Sequence, residues 1–117
     1  MRRRPMGIGD RADLTVTIPY GNHSIRTVAE AKTINNVEVD TALREQLVER
    51  YLRPLALRHG LYLVYWVRRD RRPPGWHKSR GEDRDSYLDE LRAQADAVRV
   101  DGFHVVPYIL DISPPPT

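Results

Sequence analysis

The stretch from Asp13 to Lys32 constrains this chain most, because its hydrophobic alternation and its turn together set a strand register. Leu14, Val16 and Ile18 recur at every second position, the period of a strand with one apolar face. Gly21-Asn22 is a pair that supplies the positive φ angles of a two-residue hairpin turn. Such a turn sets Tyr20 against His23, and counting back along both strands brings Asp13 opposite Glu30, with cross-strand Cβ atoms about 5 Å apart. On that register Leu14, Val16, Ile18, Ile25 and Ala29 occupy one face, while Asp13, Glu30 and Lys32 share the other.

Two carboxylates held opposite each other repel, and a bound cation removes the penalty. Oxygen-only ligands suit Mg²⁺, which takes one or two carboxylates and keeps its remaining positions for waters and substrate phosphate. A lysine beside such an ion completes a hydrolytic site. Of the 19 Lys plus Arg residues only Lys32 and Lys78 are lysine. In a chain that otherwise selects arginine, a compact ammonium beside Glu30 points to a role that the planar guanidinium fork does not fill.

Further along, Asn35 and Glu38 have the spacing of a capping box, and Asp40-Thr41 offers a second N-cap one turn later. Val39, Leu43, Leu47 and Tyr51 then recur every four residues with Ala42 and Gln46 on the flank, and Pro54 ends that helix near Arg53. Gly60 opens Leu61–Val67, a nearly unbroken apolar run of the kind expected for a strand buried on both faces. Residues 68–85 form a long charged loop broken by Pro73, Pro74 and Gly75. Ser86 followed by Asp89 caps a second helix with Leu88, Leu91, Ala95 and Val98 on one face, and Gly102 leads into a last strand over 103–112. The expected order is β-β-α-β-α-β, an α/β or α+β fold. Its first two strands are antiparallel and its later ones are joined by helical crossovers.

The 117 residues make one domain over 11–113, preceded by a basic lead-in at 1–10 and followed by a Pro-rich tail at 114–117. The chain has no cysteine, which excludes disulfide frameworks and thiolate metal centres. The arginines at its start precede no apolar signal segment, and no run reaches membrane-spanning length, so a cytoplasmic location is expected. The net charge of +3 suits a polyanionic partner. Arg69, Arg71, Arg72 and Lys78 are candidate phosphate contacts, and Trp76 among them is a candidate stacking platform. Asp70, Glu82, Asp83 and Asp85 in the same loop offset much of that field. His23 and His77 are candidate general bases that lack an evident partner.

Asp13, then Glu30-Ala31-Lys32 on the partner strand, then a helix carrying Gln46 and Tyr51, then a buried strand, resembles the PD-(D/E)XK nuclease superfamily. The segments 28–32, 42–51 and 59–66 are similar to nuclease-like domains of bacterial NTPase-linked proteins. The resemblance implies a restriction-endonuclease-like mixed sheet flanked by helices and a Mg²⁺-dependent, or Mn²⁺-dependent, endonuclease acting on DNA, in a setting of bacterial defence. It implies that Asp13 and Glu30 hold the ion, that Lys32 positions the attacking water, and that Gln46 sits at the start of the substrate channel. Ala12 stands where the signature has proline. The family core opens with a helix and a strand ahead of the metal aspartate, and only twelve residues precede Asp13 here. The expectation is therefore a sheet edge open to a second copy or to a larger NTPase-linked assembly. The alternative is a nuclease-like interaction or scaffold module that no longer cuts, or a fragment of a larger nuclease.

Overall fold

The computed structural model describes residues 14–76 and 83–115. Its hairpin has the register that the Gly21-Asn22 turn predicts. Strand β1 (Leu14–Tyr20) pairs antiparallel with β2 (His23–Thr33), Tyr20 facing His23 and Leu14 facing Ala29. Gly21 takes φ 60°, the conformation that this turn requires.

Beyond the hairpin the chain crosses over twice. β2 lies parallel to β3 (His59–Trp66), which lies parallel to β4 (His104–Asp111), giving a four-stranded mixed sheet in the order β1-β2-β3-β4. A π-helix (Leu43–Leu52) bridges β2 and β3, and α1 (Arg84–Arg99) bridges β3 and β4. The element order is therefore the expected one, and the fold is mixed α+β.

The first helix differs from expectation in its winding. Its backbone closes i→i+5 bonds, as where Arg53 N–H donates to Val48 O at 2.8 Å. Residues five apart then share a face with those four apart. Val48 and Leu52, which a four-residue stripe leaves aside, are fully buried beside Leu43 and Leu47. Helix α1 begins three residues earlier than expected. Asp83 is its N-cap and accepts from Ser86 N–H at 3.2 Å and Ser86 Oγ at 2.7 Å. Its buried stripe is Tyr87, Leu91, Ala95 and Val98, so Tyr87 takes the place expected of Leu88.

Both helices pack on one face of the sheet. That face presents Val28, Tyr62, Val64, Trp66 and Val105 to them, all buried. The opposite face runs through Leu14, Val16 and Ile18 on β1 and Ile25 and Ala29 on β2. It continues through Leu61, Leu63 and Tyr65 on β3 and Val106, Tyr108 and Leu110 on β4. Among the described residues no element covers it. Leu61, Leu63 and Tyr65 are consequently half-buried, which corrects the expectation of a strand buried on both sides. The cause is the one-sided placement of the helices.

Close approach of the π-helix depends on Gly60. A Cβ there would lie 3.1 Å from Leu52 Cδ1 and 3.2 Å from both terminal carbons of Leu47. Gly60→Val should lower stability by about 1–3 kcal/mol through overpacking, read as a lower urea midpoint at unchanged slope. A midpoint equal to or above wild type would overturn this account of the helix–sheet contact.

Candidate functional site

Glu30 and Lys32 lie two apart on β2, so both side chains project from the covered face. The π-helix and the turn before it close over them. Glu30 is 4 % exposed and the Lys32 side chain 14 %. The expectation that this side of the hairpin carries charge thus holds in an unexpected setting. The charged side meets the core, and the apolar side of the hairpin meets solvent.

The cluster has a member that the sequence assigned elsewhere. Glu38 fits a capping box with Asn35 by spacing, yet its carboxylate does not turn back to the helix start. Its own N–H donates to Asn36 Oδ1 at 2.8 Å, forming a local turn that aims the side chain across to β2. There Lys32 Nζ lies 3.5 Å from Glu38 Oε1 and 3.5 Å from Glu30 Oε2. Gln46 Nε2 donates to Glu38 Oε1 at 2.8 Å. Gln46 is buried on the π-helix and belongs to this cluster as a hydrogen-bond donor to Glu38. The signal for Glu38 was its spacing of six from Lys32, which becomes proximity only once the turn at 34–41 is formed.

Two phenols close the rear of the site. Tyr62 pairs with Glu30 in the β2–β3 register and donates its hydroxyl to Val39 O at 2.6 Å. Burial raises its ionisation well above the ordinary range, and the negative charge of Glu30 adds to the effect. Tyr87 donates to Asp40 Oδ1 at 2.9 Å from α1.

Asp13 and Lys78 lie outside the described residues, as do His77 and Glu82. Among the described residues no three or more His, Cys, Asp or Glu side chains gather as an ion site. Glu30 and Glu38 are the carboxylates of the cluster; Lys32 Nζ lies between them, and the Gln46 amide turns its nitrogen toward Glu38. A hard divalent cation needs one or two protein carboxylates, and Glu30 and Glu38 are the groups of this cluster that could supply them.

The arginine run divides. Arg69 and Arg71 lie in a short 3₁₀ turn. Arg72, grouped with them as a phosphate contact, is 4 % exposed. It donates Nε to Val67 O at 2.8 Å and stacks its guanidinium 5.0 Å from the Trp66 ring centroid. Burial is the largest cause of its lowered ionisation, with Arg69 adding to it. That side chain is a structural bolt under β3, because its hydrogen-bond and stacking partners are inside the fold. Trp76 is half-buried and packs against the core. His23 closes the hairpin turn opposite Tyr20, away from the Glu30 cluster. No helix among the described residues is long and apolar enough to cross a membrane.

The Gln46 hydrogen bond, followed by the Lys32 charge, holds the Glu38 carboxyl below its ordinary value of 4.5. A depressed folded value means that the contribution of Glu38 to stability is complete above about pH 4.5. It is lost as pH falls through the folded value. Gln46→Leu should raise the Glu38 ionisation toward 4.5, followed by NMR titration of the side-chain carboxyl carbon. An unmoved titration would show that the Gln46 contact is not what polarises Glu38. Comparison of the chain with protein-family models, curated protein sequences and solved structures gave no match.

Proposed function

We propose that the Glu30 cluster is the catalytic site of a divalent-metal-dependent endonuclease that hydrolyses DNA phosphodiesters, with a restriction-endonuclease-like arrangement of the PD-(D/E)XK kind. The observation that carries this reading is the burial of Glu30 beside Lys32, whose ammonium also meets the exposed Glu38. Buried charge is costly unless function or pairing repays it, and perturbed ionisable clusters in such positions mark candidate sites.

Glu30 would hold the ion, with Asp13 as the expected second carboxylate. When bound, Mg²⁺ or Mn²⁺ supplies a water of lowered pKa and positive charge against the phosphoryl oxygens. Lys32 Nζ stands at 3.5 Å from each acid, longer than the roughly 2.7–2.9 Å of a tight charge-assisted bond. One of its three donors is directed at Glu38 Oε1, and the others would orient an attacking oxygen or steady a phosphoryl oxygen. Glu38, pinned by Gln46, keeps that ammonium in place. Arg69 and Arg71 contribute a salt-sensitive, sequence-independent attraction for the phosphate backbone.

Glu30→Gln and Lys32→Met should each slow Mg²⁺- or Mn²⁺-dependent nicking of plasmid DNA about a hundredfold or more, with unchanged circular dichroism spectra. Calorimetry should show Mn²⁺ binding by wild type and its loss in Glu30→Gln. Wild-type protein that neither cuts nor binds Mn²⁺ would overturn the proposal. It would favour the second reading, a non-cutting interaction module in which Lys32 between two acids is a structural ion triad.

A further inference from the structure

On the side of the sheet away from the Glu30 cluster lies its uncovered face, and this face differs from every other surface of the chain. It carries no Asp, Glu, Lys or Arg on any of the four strands, in a sequence that is 30 % charged. Leu14 is 56 %, Ile18 53 %, Val106 61 % and Tyr108 54 % exposed. The stacked rings of His59 and His104, 5.2 Å between centroids, lie in one row across it.

We propose that this face is the interface of a homodimer in which two sheets pack back to back. Four strands spaced about 4.8 Å apart, three of them seven or eight residues long and β2 eleven, span about 450 Å² in plan over their shared length. This is within the size at which apolar patches on single chains mark interaction sites. Two such faces together, with side-chain relief added, reach the roughly 1,000 Å² that a specific interface needs.

Two further features favour a second copy. A two-fold contact requires a patch complementary to itself. An apolar face without formal charges meets that condition, since no residue needs an opposite charge across the axis. The sheet edges, by contrast, are guarded: β1 carries Pro19 and β4 carries Pro107. Proline removes a donor from an edge strand and discourages edge-to-edge addition. The face is the open route. Residues 1–13 offer only Met1, Met6, Ile8 and Ala12 as apolar side chains longer than glycine apart from Pro5, among four arginines and two aspartates, and so match the face poorly.

Twisted sheets pack face to face about 10 Å apart with strands within about 30° of alignment. Back-to-back packing leaves each Glu30 cluster on the outer side of the pair, so the proposal is independent of the nuclease reading. Sedimentation equilibrium at tens of micromolar should give twice the 13.6 kDa chain mass, and Val106→Lys and Ile18→Lys should give the monomer with unchanged circular dichroism. Because the chain has no cysteine, Leu63→Cys can be joined by a short bis-maleimide. It should cross-link to its own copy, whereas Val100→Cys, 86 % exposed at the end of α1, should not.

Glu30→Gln should remain dimeric. A wild-type monomer overturns the proposal. If that monomer binds the dye ANS, the bare face fits a different protein; if it does not, another part of the chain covers the face. A dimer that survives both lysine substitutions, or that cross-links through Val100→Cys and not Leu63→Cys, places the interface elsewhere and overturns the proposal equally.

Discussion

The direction of the two crossovers governs everything else in this fold. A parallel strand–helix–strand unit is right-handed in nearly all proteins, because twisted strands and helices pack back onto a sheet only that way. Here both crossovers step in the same direction, from β2 to β3 and from β3 to β4, with no reversal of strand order. Equal steps of equal hand deliver both helices to the same face. The sheet therefore has one heavily covered side and one bare side, and each carries a distinct kind of chemistry.

On the covered side the helices come close enough to enclose charge. Gly60 lets Leu47 and Leu52 approach the backbone of β3. The same helix then carries Gln46 in over β2, next to the turn that aims Glu38. Helix approach and site assembly are one event, since the residues that seat the helix and the residue that anchors Glu38 lie within a single stretch of π-winding. On the bare side nothing equivalent happens. The residues that give the hairpin its apolar alternation are those left in solvent.

The hairpin register was legible in the sequence because two independent signals, the alternation and the Gly-Asn turn, specify the same pairing. Helix positions were legible from apolar spacing, yet the winding was not: a four-residue repeat fits ordinary and wide helices alike until packing decides, and here Val48 and Leu52 turn inward. Glu38 was hidden because the spacing that makes a capping box also suits a side chain that reaches away from the helix. Only the Asn36 turn distinguishes them. Arg72 was hidden in a run of like residues, where nothing local marks the one guanidinium that folds back onto Trp66. The unbroken apolar run of β3 signals burial on both faces, yet only one face is covered by helices, and Leu61, Leu63 and Tyr65 on the other are half-buried.

Lysine rather than arginine at position 32 follows from this geometry. A guanidinium reaching into the same space would present its planar fork to one carboxylate and close on it with two parallel bonds. The ammonium instead stands equally far, 3.5 Å, from Glu30 and Glu38. It offsets the repulsion between them while donating to Glu38 Oε1. Two acids and one lysine leave a net negative charge beside the π-helix, with Glu30 buried and the Glu38 side chain 56 % exposed. The preference for a point charge at this one site, in a chain that uses arginine almost everywhere else, is thus a preference for a cation that serves two carboxylates at once.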